Sequence, residues 1–316
     1  MITVPQRFLR EIQLHLIHCT WPHTIPDAPL ILGIEGPPGD GKTVNAQEAI
    51  KSLGWEYIAL STSDFGSSQE AECSKKLRAK YAEASIFSQH RGKPYVLICD
   101  DIDAAIGQWG GLTQYTVNTQ FITGELMHLC GKNSPMEVET SKLSIDAREL
   151  IKVSLNDSPV SNVTTIPVPI IFTGNDFTKL YAPLLRAGRM RKFEWIPDED
   201  ERIIIIESIF KPHLSSAECF QLYHACQSYA KSIQQADASN VAYKPLPISF
   251  FSALKVEVQD DAIISMVEQY KWTVASQLFK QNELGKKSIL QMSFSYDICL
   301  KKAKERILAQ LDKSYL

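Results

Sequence analysis

The 316-residue chain lacks a basic excess and has no long run of charge of either sign: 33 Lys and Arg face 36 Asp and Glu, a formal net charge of −3. A nucleic-acid binder ordinarily carries a basic stripe to neutralise phosphates, so this balance argues against that class. No apolar stretch is long enough to span a bilayer. The opening residues, MITVPQRFLREIQLHLIHC, are amphipathic and broken by charge, unlike a signal peptide. The seven cysteines are odd in number and contain no CxxC pair, which disfavours a disulfide framework or a zinc site and suits reduced thiols. The seven histidines show no metal-ligand spacing, and there is no internal repeat or low-complexity tract. These absences predict a soluble, cytoplasmic protein that engages neither nucleic acid nor membrane.

What remains is globular material, 44% hydrophobic and 22% charged, enough for one large domain or two modest ones. Between about Pro29 and Pro197, short apolar runs (LILGIEG, YIALST, YVLICDD, VPIIFTG, KFEWI) alternate with helical patterns. Nearly continuous apolar runs suit parallel strands buried on both faces, so the alternation predicts an α/β fold with a covered five-stranded parallel sheet. From Asp198 the strand signal disappears and four helical patterns follow. The expected division is an N-terminal helical flank over 1–28, an α/β nucleotide-binding domain over 29–197 and a small all-helical domain over 198–316. A long polar insertion at about 131–165 precedes the fourth strand of the series.

The chemistry concentrates after the first apolar run. LILGIEG leads into Gly36, Pro37, Pro38, Gly39, Asp40, Gly41, Lys42 and Thr43, with Val44 opening the helix, and this matches the phosphate-loop pattern G-x-x-x-x-G-K-[ST]. Glycines let backbone N–H groups converge on phosphate oxygens, Lys42 supplies a point charge to the β and γ phosphates, and Thr43 offers a hydroxyl to Mg²⁺. A phosphate loop needs an acidic partner on a neighbouring strand, and YVLICDDID provides it. Asp100 is expected in the Mg²⁺ shell and Asp101 as the residue that orients or deprotonates the attacking water. The expected ligands are therefore ATP and Mg²⁺, the latter held through Thr43 and Asp100.

The fourth run, VPIIFTGN, ends in Asn175, placed to polarise the water from the γ-phosphate side. Ten or so residues later Arg186 and Arg189 flank an Ala-Gly turn with no carboxylate between them. They lie too far along the chain to serve the same nucleotide comfortably, and an arginine finger reaching a neighbouring subunit's γ-phosphate accounts for both. That reading requires a homo-oligomeric ring. Phe65 and Trp109, on Gly- and Ser-rich loops after the second and third strands, are candidates either for gripping a client in the ring's pore or for local packing.

The order phosphate loop, acidic strand, Asn-tipped strand, arginine pair is that of AAA+ ATPases. PLILGI, KLRAKYAEA, GGLTQYTVNTQ, VPIIFTGNDFTKLYAPLLRAGRMRKF and ISFFSALKVEVQDD further resemble Rubisco activases, in the same order and over nearly the whole chain. The start is more like the short N-terminus of the cyanobacterial type. The resemblance implies a AAA+ fold with a helical lid and a ring, expected hexameric. It also implies ATP-driven remodelling that frees Rubisco of inhibitory sugar phosphates, in the cytoplasm or, in a eukaryote, the plastid stroma. It places Lys255 of FFSALK where activases carry a second-sensor arginine, which keeps the charge but loses the bidentate fork. GPPGDGKT is the general AAA+ form of the loop rather than the activase form. Ring ATPases usually have Glu where Asp101 stands, one methylene longer, so slow hydrolysis is expected. Rubisco recognition maps near AIISMVE, Ala262 to Glu268, which lacks the basic and aromatic residues usual there. A remodeller of another client, or a nucleotide-gated assembly factor with little turnover, are the alternatives.

Overall fold

Five-residue strands, apolar at the centre of the sheet and mixed at its edges, build the sheet that positions the candidate site. The structure is a computed structural model that describes residues 2–20, 28–65, 72–107, 117–129, 137–154, 161–236, 244–270 and 295–311. Strands β1 (Ile31–Glu35), β2 (Glu56–Leu60), β3 (Tyr95–Cys99), β6 (Ile170–Gly174) and β7 (Met190–Glu194) form one sheet in the order β2-β3-β6-β1-β7. All its pairings are parallel, with Ile31 opposite Ile170 on one side and Met190 on the other. Every residue of β3 and β6 is buried, as expected of central strands covered on both faces. The ends of β1, β3 and β6 therefore sit side by side at the carboxyl edge, where open α/β sheets bind ligands.

The chain divides into two compact units. The first comprises Gln6–Pro38 and Lys42–Ile196; the second comprises Met1–Pro5, Gly39–Gly41 and Pro197–Leu316. In the first, helices α2 (Lys42–Ser52), α3 (Glu72–His90), α4 (Ile102–Ile106) and α5 (Val117–Leu129) accompany the sheet. Helix α1 (Gln6–Thr20) is fixed by Phe8, which meets Trp195 and Phe193 edge-on at 4.9 and 5.6 Å, and by the buried His15 ring on the Ile170 carbonyl at 3.2 Å. The polar insertion contains more order than its composition predicts. Helix α6 (Ile145–Ser154) lies between β4 (Glu137–Glu139) and β5 (Asn162–Thr164), which pair antiparallel. Ser144 N–H donates to the buried Glu83 carboxylate of α3, anchoring the insertion to the core.

The second unit is helical: α7 (Glu199–Phe210), α8 (Ser216–Ala236), α9 (Ile248–Tyr270) and α10 (Tyr296–Leu311). Asp198 and Glu201 form a reciprocal capping box that starts α7. Buried residues recur at helical spacing, Cys219, Leu222, Tyr223 and Cys226 on α8 and Cys299, Ala303 and Ile307 on α10, so each helix turns one stripe inward. No described helix is long and apolar enough to cross a membrane.

Candidate active site

The loop between β1 and α2 needs backbone shapes that only glycine takes easily: Gly39 and Gly41 have φ of 80° and 75°. Lys42 opens α2 with its side chain buried. Its ammonium donates to the carbonyls of Gly36 and Pro37 and to Asn175 Oδ1, each at 2.8 Å. That last bond joins residues 133 positions apart and brings the Asn-tipped strand to the loop lysine. Pro37, Pro38 and Val44 are exposed around it. Thr43 Oγ1 donates to Asp100 Oδ1 at 2.5 Å, so the loop hydroxyl and the first acid of β3's end share one oxygen cluster. A hydroxyl beside a carboxylate is a hard-oxygen donor set that fits Mg²⁺, which keeps several waters and takes only one or two protein oxygens.

Asp101 follows in a left-handed conformation, φ 47° and ψ 48°, as the N-cap of α4. The residue is exposed overall, yet partial burial of its carboxyl raises its pKa above the ordinary aspartate value. Asp100 and Asp103 add repulsion, and Lys42 opposes them. Asn175 is exposed at the tip of β6. A short turn, Phe177–Lys179, follows it and is held by Glu35, whose Oε1 accepts the Phe177 N–H at 2.6 Å. The sheet edge thus collects Lys42, Thr43, Asp100, Asp101 and Asn175.

The two arginines separate. Arg189 is half-buried and donates through Nη1 to its own chain's Pro183 carbonyl at 2.8 Å and to Met127 Sδ at 3.5 Å. Arg186 is exposed and its side chain has no partner among the described residues. Lys255, in the helical unit, donates to the Ile209 carbonyl at the end of α7, and burial lowers its pKa. Asp40 is buried at 2% exposure, its two oxygens gripped by Arg202 at 2.9 and 2.7 Å, with Ile248 N–H at 3.3 Å. The Asp40 side chain is thus paired with Arg202.

Phe65 is not on a surface loop. A 3-10 turn, Thr62–Phe65, folds it into the core at 6% exposure, where it cannot grip a client. Trp109 lies outside the described residues. Sequence reasoning missed Thr173 and Asp103, both fully buried, and the Arg202 partner of Asp40. The spacing of Thr173, two residues before Asn175 on one strand face, was the only signal pointing to it.

Residues 32–198 match the family "AAA: ATPase family associated with various cellular activities". Among curated proteins the chain is similar to the ribulose bisphosphate carboxylase/oxygenase activase of Anabaena sp. (strain CA), 31% identical over 84% of this chain and 56% of that protein. The activase of Nostoc sp. is 32% identical over the same shares. The chloroplastic activase of Zea mays is 34% identical over 78% of this chain and 49% of that protein. The chain thus spans about half the length of the curated relatives it matches. The family match alone takes in more than half of the chain, which belongs to the AAA ATPases.

Proposed function

We propose that this chain hydrolyses ATP as a subunit of a homo-oligomeric, hexameric ring that remodels a protein client, and that the client is Rubisco carrying an inhibitory sugar phosphate. The observation that carries the ATPase half is the network in which Lys42 reaches Asn175 while Thr43 reaches Asp100. It brings an ammonium, a hydroxyl–carboxylate pair and an amide to one sheet edge, the groups that phosphate binding, metal binding and water polarisation call for. Lys42 and the loop amides would hold the β and γ phosphates, and Thr43 and Asp100 would hold Mg²⁺. When bound, the metal neutralises charge that develops on the phosphate oxygens. Asp101 accepts the proton of the attacking water or orients it, and Asn175 polarises that water from the other side. Arg186, exposed and without a partner among the described residues, is the finger offered to a neighbour. Arg189, bonded to Pro183, braces the turn that presents it. Lys255 answers for the second sensor by its place in FFSALK.

The client half rests on the similarity to activases. A different client is favoured by the segment where recognition would map, in which Ile263 and Ile264 stand exposed without the basic and aromatic neighbours expected there. Two assays test the halves separately. Lys42→Ala should lose nucleotide binding and turnover, and normal affinity and turnover in that variant would sink the ATPase reading. ATP-dependent recovery of carboxylase activity from sugar-phosphate-inhibited Rubisco is expected of the intact chain. An active ATPase that leaves inhibited Rubisco unchanged assigns it to another client.

A further inference from the structure

The hydrogen-bonded ladder between β3 and β6 reaches its last pair at Cys99 opposite Phe172. Past that point the ends of the two strands stay joined through side chains. Thr173 Oγ1 donates to Asp100 Oδ1 at 2.5 Å and accepts the Asp101 N–H at 3.2 Å. Asp103 Oδ2 accepts the N–H groups of both Asn175 and Asp176, each at 2.9 Å. The pattern is reciprocal: a residue of β6 holds the acidic pair, and a residue after β3 holds the asparagine tip. Thr173 and Asp103 are both fully buried.

The fit is close. A Cβ at Gly174 would fall 2.7 Å from Asp103 Oδ1 and 2.6 Å from the Phe177 ring, so only glycine leaves the carboxylate room to reach the strand tip. The other oxygen of Asp103, Oδ1, is buried with no hydrogen-bond partner among the described residues. Burying a carboxylate with one oxygen unsatisfied is costly, and simple strand closure does not require it. Two backbone donors converging on one side-chain oxygen, each at 2.9 Å, fix both amides at once.

We propose that Thr173 and Asp103 are positioning residues, a two-ended clamp that fixes Asn175 against Asp100 and Asp101 so that the groups acting on the attacking water keep their spacing. The inference rests on the ATPase reading. Each acts through the group it holds. Misplacing a catalytic group by about 1 Å costs on the order of 10²-fold in rate, and the clamp prevents that loss.

The test uses the full chain and four variants: Asp103→Ala, Asp103→Asn, Thr173→Val and Thr173→Ser. Nucleotide affinity, kcat at saturating ATP and Mg²⁺, melting temperature and amide exchange over residues 173–176 are measured for each. Asp103→Ala and Thr173→Val should lower kcat by on the order of 10²-fold while nucleotide affinity holds. Exchange at Asn175 and Asp176 should accelerate in Asp103→Ala. Asp103→Asn still offers an oxygen to both amides and Thr173→Ser keeps the hydroxyl, so these two should retain most of the rate. Folded Asp103→Ala with wild-type kcat, or with unchanged exchange at the strand tip, overturns the clamp. If Asp103→Ala does not fold, the Thr173 pair decides, and equal kcat in the Val and Ser variants overturns it. A wild-type chain without ATP hydrolysis sinks the ATPase reading and the clamp's role in it together, whereas a hydrolysing wild type with unaffected variants sinks the clamp alone.

Discussion

Asp101 combines two features seldom joined at one residue, a left-handed backbone and a carboxyl whose proton affinity is raised by partial burial and by two neighbouring acids. Aspartate and asparagine tolerate that backbone region better than other residues with a β-carbon. Asp101→Asn should therefore fold and bind ATP like the wild type, because it keeps shape and conformation. It should hydrolyse ATP at least about 10²-fold more slowly, because it removes the proposed proton acceptor. Single-turnover hydrolysis beside nucleotide titration checks this, and a normal rate would assign the base to another acid. Lys42, Thr43, Asp100, Asp101 and Asn175 were legible in the sequence because strand ends and a glycine loop place them by local geometry. Thr173 and Asp103 were not. Their partners lie more than 70 residues away, and a buried threonine or aspartate has no local signature.

At the scale of elements, the central strands β1, β3 and β6 were legible because runs buried on both faces are nearly continuously apolar, whereas the edge strands β2 and β7 are less buried and carry charged residues. The insertion was not legible, since β4 and β5 have three residues each and expose all but Val138 and the half-buried Val163. For Phe65 the sequence left pore grip and local packing both open, because its Gly and Ser neighbours suit a loop; a single 3-10 turn buries the ring and decides for packing. Helix α7 shows how one element carries a hidden constraint. Its Arg202, 7% exposed, pairs bidentately with Asp40, 2% exposed, and also donates to the Pro197 and Leu246 carbonyls. Removing one partner of such a pair leaves a buried charge uncompensated and typically costs about 3–5 kcal/mol. Arg202→Ala should lower the urea midpoint by a corresponding amount, and Arg202→Lys should recover part of it, since lysine keeps the charge without the fork. Equal midpoints for all three chains would mean that the pair is replaced by solvent at no cost.

For the whole molecule the decisive question is whether one subunit completes another's site, and the two arginines are where it can be asked. Arg186→Ala should leave ATP binding almost normal yet slow hydrolysis on the order of 10³-fold, the usual loss when a finger is removed. Arg189→Ala should act indirectly, by releasing the turn that its bond to the Pro183 carbonyl holds. Mixing then separates trans from cis. An Arg186→Ala subunit keeps an intact phosphate loop, and a Lys42→Ala subunit keeps an intact finger. In a mixed ring the first can receive Arg186 from the second, so activity should return from two inactive proteins. The recovery should rise with protein concentration, because it needs contact. Mixed rings confirmed by mass that remain inactive would mean that Arg186 serves its own subunit or only the fold. Little effect of Arg186→Ala on hydrolysis would mean that it is solvated surface. The trans outcome is expected because Arg186 is exposed without a partner among the described residues while its neighbour Arg189 is already engaged by its own chain.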